Sequence, residues 1–206
     1  MKPAQKMRAR MTSRLFAALF AAAALTGTAF DSVNAQSALA TNDLVDELKG
    51  LETTPNIDVA AMRQRALARA KSNTDKSAVN RVPIAEELFK LPQLTIEIQF
   101  NLDSAIIRPA SYPTLGRIAD ALYHPYLLGY RVLVVGHTDS TGKREHNLVL
   151  SQKRADSIRE ALVTTFKIPP QRVLSVGLGE EQFQDAANPT AAINRRVQIV
   201  TVGLMK

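Results

Sequence analysis

"GHTDSTGKREHNLVLSQKRADSIREAL", Gly136 to Leu162, reads as a turn followed by a long helix, and one of its residues is out of place. The helix is predicted from about Arg144 to Phe166, with an apolar stripe of Leu148, Ala155, Ile158 and Leu162 and with Ala161 and Thr165 slightly rotated from it. Arg154 precedes Ile158 by four residues and Ala161 by seven, so it stands beside or within that stripe. Asn147 lies two turns earlier on the same side. A partly buried guanidinium cannot shed its proton, and leaving it unpaired is strongly unfavourable. Asp139, in the turn just before the helix, is the nearest acid able to pair with it.

Outward from this stretch the pattern is that of a small α+β domain from residue 92 to residue 206. In "LTIEIQF" the residues Leu94, Ile96, Ile98 and Phe100 alternate with polar ones, the period of a strand with one buried face. Leu115, Ile118, Ala119 and Leu122 recur at helical spacing until His124-Pro125 ends the run. "YRVLVVGH" is a continuous apolar run, as expected of a strand covered on both faces. After the long helix, "IPPQRV" stops the chain, "RVLSVGLG" supplies a third strand and "RRVQIVTVG" a fourth. The order β-α-β-α-β-β places the helices on a small mixed four-stranded sheet.

The flanking sequence bounds the function. Five basic residues between Lys2 and Arg14 precede an apolar run, Leu15 to Ala29, and then small residues at "VNA". That is the order of a cleavable secretory signal, residues 1–35, and the run is shorter than the ~20 residues of a membrane-spanning helix. Cleavage removes five basic residues and one acid, a net of four, so the formal charge falls from +7 to +3. The pI of 9.9 overstates the basicity of the working chain, and nucleic acid is not an expected partner. With no cysteine there is neither a disulfide nor a site for a cysteine-linked lipid. An exported protein of a bacterial periplasm or envelope is expected. Residues 36–91 read as a linker with weak helices: "IDVAAMRQRALARAKS" has high helix propensity, but its apolar face is mostly alanine. Such a segment is either a solvated spacer or a helix that docks on an envelope protein partner.

On the residues alone, two readings of the Asp139–Arg154 pair stay open. Ligand sites in open α/β sheets lie outside the carboxyl ends of strands, which is where His137, Thr138 and Asp139 are expected. An acid and an arginine converging there suit a ligand with an ammonium and a carboxylate on one carbon, Asp139 taking the first and Arg154 the second. Aspartate is also a common turn residue in a sequence such as "DSTG", and a purely structural ion pair fits the spacing equally well. Catalysis is not expected. His124, His137 and His146 show no pair at the i, i+4 spacing of zinc hydrolases, and "GLGEEQ" lacks the lysine of a phosphate loop, so neither a metal nor a cofactor is expected.

The elements "IQFNLDSAIIRP", "VVGHTDSTGKREHNLVLSQKRADSIREAL" and "INRRVQIV" together resemble the OmpA-like peptidoglycan-binding domain of OmpA C-terminal domains, Pal lipoproteins and MotB proteins. The resemblance covers about Leu94 to Val202. It implies non-covalent binding of peptidoglycan, with the acid of the "HTD" element and the arginine of "LSxxRA" holding meso-diaminopimelate of the stem peptide; these are Asp139 and Arg154 here. It further implies a ligand-facing loop at Leu102, Asp103 and Ser104, acting largely through its backbone, and pocket positions at Thr138, Asn147 and Leu150. Asn194, Arg195 and Arg196 match the "NRR" signature, for which strand entry and structural hydrogen bonds are the expected role. The chain departs from better-known members: residues 36–91 are too short for an eight-stranded membrane barrel, and the lipidated cysteine of Pal is missing. The alternatives are a protein-docking module of an envelope complex, or a MotB-like protein whose N-terminal segment stays in the membrane.

Overall fold

Four strands form one mixed sheet in the order β1-β4-β2-β3, where β1 is Gln93–Ile96, β2 Tyr130–His137, β3 Val173–Gly179 and β4 Val197–Leu204. The computed structural model describes residues 40–51, 55, 57–72 and 81–205; the expected signal peptide, residues 1–35, lies outside the described residues. β2 pairs parallel with β3 and antiparallel with β4, which also pairs antiparallel with β1. The continuous apolar run of β2 therefore belongs to an interior strand, as its composition predicts. β1 is shorter than its alternation suggests. Burial alternates from Leu94 to Gln99, yet the ladder with β4 stops at Ile96. Beyond it the backbone turns to other partners: Gln99 N–H donates to Ser111 Oγ, Gln99 O accepts from Arg108, and Phe100 bridges Ile107.

Helices cover both faces of the sheet. On one face lie α1 (Thr41–Leu48), α3 (Tyr112–Tyr123) and α4 (Arg144–Thr164), around Leu94, Ile96, Val132, Val134, Val197 and Ile199. The other face, with Leu133, Val135, Val176, Leu178, Val200 and Val202, is covered by α2 (Val59–Ser72) and the segment Ile84–Leu88. Residues 36–91, expected as a linker, thus supply two helices to the core. Leu44, Val45 and Leu48 of α1 are buried, and Thr201 Oγ1 donates to Leu48 O at 2.7 Å. Met62, Ala66 and Ala70 of α2, spaced four apart, form the buried stripe. Alanine buries too little to form a core alone, but here it covers a sheet face that already carries the large side chains.

α4 lies very close to the strands. A Cβ at Gly136 would stand 2.4 Å from Ser151 O, and one at Gly177 would stand 2.1 Å from Gln152 N. These two glycines let the helix backbone rest on the ends of β2 and β3, which fixes where α4 presents its polar residues. Among the described residues no helix is long and apolar enough to cross a membrane.

Candidate functional site at the carboxyl end of β2

β2 ends at His137, and Thr138 and Asp139 follow it, both buried. Thr138 N–H donates to Gly179 O at 2.9 Å, tying the turn to β3; its Oγ1 meets no partner among the described residues. The Asp139 carboxylate accepts from Thr141 N–H through Oδ1 (2.9 Å) and from Arg195 Nη1 through Oδ2 (2.6 Å). Burial alone would raise its pKa; the bonds from Arg195 and Thr141 outweigh burial and hold it below the ordinary value of 3.8. Asn147, buried on the first turns of α4, donates through Nδ2 to Asp139 O, Thr141 O and Glu180 Oε2. Its amide orders the turn that carries the acid.

Arg154 is held from the other side. Its Nε donates to Ser104 O at 3.0 Å, and its guanidinium lies over the Phe100 ring, 4.9 Å from the centroid. Burial lowers its pKa, while Asp103, Arg195 and Asp139 all lie close enough to act on it, the acids opposing that shift and Arg195 adding to it. Arg154 stays charged at neutral pH. The pairing inferred from spacing differs in detail: Asp139 is hydrogen-bonded to Arg195, and Arg154 reaches it only through the field. Among the described residues Nη1 and Nη2 of Arg154 carry no hydrogen bond, and Asp139, with Arg195 and Thr141 as donors, keeps one of its four acceptor positions in reserve.

The loop after β1 closes the group. Asp103 adopts a left-handed φ of 48°, which aspartate tolerates, and its Oδ1 meets His146 Nε2 at 2.6 Å. Ser104 Oγ accepts from Ile106 N–H, and Leu102 is almost fully exposed at 97%. Leu150 is half-buried on α4. The fold therefore gathers Asp103, Ser104, Asp139, Asn147 and Arg154 into one cluster at the carboxyl end of β2. Asn194 and Arg196 are buried and spend their hydrogen bonds on another loop. Asn194 Oδ1 accepts from Gln184 and Asp185 N–H, while its Nδ2 donates to Asp185, Asn188 and Pro189 carbonyls, bracing that loop. Arg196 donates to Gln182 O, and burial brings its pKa down to about 10. Arg195, expected with its neighbours at strand entry, instead turns its side chain to the Asp139 carboxylate. The alternation buried, exposed, buried through Asn194, Arg195 and Arg196 is the signal that separates it from the other two. His146 and Phe100 were also missed, because their partners are 43 and 54 residues away in the chain. Among the described residues no cluster of three or more His, Asp or Glu side chains is placed to hold a metal.

Residues 99–196 match the OmpA family. They form an OmpA-like domain. Porin F of Pseudomonas fluorescens is 34% identical over 109 residues, covering 52% of this chain and 32% of the porin. The probable lipoprotein YiaD of Escherichia coli is 41% identical over 106 residues, 50% of this chain and 46% of its own. The peptidoglycan-associated lipoprotein of Brucella melitensis is 36% identical over 106 residues, 51% of this chain and 61% of that protein. Among solved structures, the peptidoglycan-associated lipoprotein of Burkholderia pseudomallei is 32% identical, with a TM-score of 0.42 over 50% of this chain and 87% of that one. The chain thus spans roughly a third to three fifths of the curated relatives described here, and what it shares with them is the OmpA-like domain.

Proposed function

We propose that the OmpA-like domain holds peptidoglycan without covalent chemistry, gripping the zwitterionic end of meso-diaminopimelate in the stem peptide. Arg154 donates its two Nη groups to the ligand carboxylate, and Asp139 accepts from the ammonium. Arg195 keeps Asp139 ionised and oriented, Asn147 holds the turn, and the exposed amides of the loop around Asp103 and Ser104 face the ligand. The observation that carries this reading is the spare capacity of the acid and the arginine: each is fixed by bonds of its own, yet each retains hydrogen-bonding capacity in the same cluster. A pair with a purely structural role would satisfy itself directly. The name of the Brucella relative, a peptidoglycan-associated lipoprotein, points to the same wall polymer. The protein would then be an exported tether of the cell envelope. Any envelope partner would meet the outward faces of α1 and α2, whose inner faces are occupied by the domain itself.

Co-sedimentation with isolated peptidoglycan sacculi tests this. The wild type should pellet with the wall, and Arg154→Ala and Asp139→Ala variants with retained circular dichroism should stay in solution. Equal behaviour of all three would make the cluster structural.

A further inference from the structure

A trough of about 950 Å³ runs along the flank of α4, beside that cluster and not over it. That is the size of a site for a sizeable small molecule, which typically occupies some 300–1,000 Å³. It begins where the ligand loop ends. Ser104 gives its carbonyl to Arg154, and the next three residues, through Ile107, line the trough. Along α4 it reaches from Asp156 to Thr164, with Thr165 just past the helix end.

Its charges are balanced and mostly engaged. Two arginines, Arg63 and Arg159, face two acids, Asp156 and Glu160, so the lining selects neither a polyanion nor a polycation. Arg63 donates to Ser175 O at 2.6 Å and Arg159 to Val173 O at 2.7 Å, capping the outer edge of β3, while Asp156 accepts from Ser175 Oγ and Gln152 Nε2. What remains for a ligand is hydroxyl groups, outward carboxylate lone pairs and two exposed apolar surfaces, Ile106 (65%) and Tyr112 (40%). Such a surface fits an uncharged chain of sugars, with C–H faces for the apolar side chains and hydroxyls and acetamides for the polar ones.

We propose that this trough takes the glycan strand of peptidoglycan, next to the stem peptide held at Arg154. The inference rests on the proposed peptidoglycan reading. Distance supports it: diaminopimelate is the third residue of the stem, so about 10 Å of extended peptide separates it from the sugar. Ala161, which lines the trough, lies seven residues or nearly two turns beyond Arg154 on the same side of α4, a rise of about 10 Å.

The test is calorimetric binding of three probes to the protein: the free stem tripeptide, the same tripeptide on its N-acetylglucosaminyl-N-acetylmuramyl disaccharide, and glycan strands stripped of peptide. The wild type should bind the disaccharide tripeptide about tenfold more tightly than the free one. Ser157→Trp, which fills the trough, and Tyr112→Ala, which removes its exposed ring, should each abolish that gain. Both should leave tripeptide affinity unchanged, which also reports that they fold. Equal affinities in the wild type, a gain that survives both variants, or a gain given by a second cross-linked peptide in place of the disaccharide would each overturn the inference. Binding of bare glycan that these variants weaken, without any tripeptide binding, would uphold the trough and sink the diaminopimelate reading. If no probe binds, both fall.

Discussion

After β3 the chain buries Glu180 and Glu181 against arginines that are themselves little exposed; after β2, at the same end of the sheet, it buries Asp139 against an arginine that is half exposed. Glu181 accepts from both Nε and Nη2 of Arg144 at 2.6 Å, its side chain wholly buried. Glu180 pairs with Arg81 at 3.5 Å and accepts from Asn147, again with little exposure. In the second cluster Arg195 is half exposed at 52%, the Asp103–His146 contact is more exposed still, and Arg154 holds only a backbone carbonyl and a ring. Asn147 joins the two, bonding Glu180 and the Asp139 turn with one amide. One cluster uses its hydrogen-bonding capacity within the protein, and the other keeps some of it facing outward. The first supports the fold; the second is the cluster to which the proposed ligand would bind.

Substitutions should separate the two. Glu181→Ala leaves Arg144, whose side chain is only 11% exposed, without its bidentate carboxylate and should cost roughly 3–5 kcal/mol in urea unfolding. A loss below about 1 kcal/mol would erase the contrast, since that is what an exposed pair is worth. Arg154→Ala should show the reverse pattern. Ligand affinity should fall by the roughly 2–5 kcal/mol typical of breaking a desolvated charge contact, with unfolding free energy nearly unchanged. A melting temperature that dropped as far as that of Glu181→Ala would place Arg154 with the structural cluster.

The second face of the sheet gives a smaller test of the same kind. Met62→Ala removes a fully buried side chain from α2 and should cost roughly 2–3 kcal/mol, with stem-peptide binding retained because Met62 packs within the core of the second face and touches neither Asp139 nor Arg154. Little change in stability would return α2 to the role of a spacer helix.

Strand order along the chain, the long helix and the position of Asp139 and Arg154 were legible in the sequence because each rests on local periodicity or on a turn between neighbours. The core role of residues 36–91 was not. Its apolar stripe, Met62, Ala66 and Ala70, is weak on its own; the signal lay instead in β2 and β4, which are apolar on both faces. A sheet with α3 and α4 on one side still has a second apolar face to cover, and the N-terminal segment was the chain left to cover it. Arg195 escaped for a related reason. Spacing along α4 identifies a residue needing a partner, but the choice between Arg154 and Arg195 as the cation bonded to Asp139 depends on how β4 packs beside β2, which no local pattern encodes.

The mildest expected effect lies in acid. His137 is fully buried at the end of β2, with Nε2 2.7 Å from Gln198 Oε1. Burial first, and then the charge of Arg196, hold its pKa well below the ordinary 6.5, so the folded protein keeps this imidazole neutral. The unfolded chain takes up a proton near 6.5 that the folded chain refuses. Stability is therefore complete above that pH and is lost as pH falls below it. Asp139 acts in the same direction at lower pH: its pKa is depressed, so its contribution is present above the ordinary carboxylate value and lost as pH drops through the folded one. Between about pH 7 and about pH 5.5 only His137 of these two titrates in the unfolded chain, and the expected loss is about 1 kcal/mol. His137→Gln, which keeps a hydrogen-bonding side chain, should flatten the unfolding free energy in that window relative to the wild type. If the two slopes are the same, the neutral buried imidazole is not what links this end of the sheet to pH, and the cluster around Asp139 would have to carry the acid sensitivity itself.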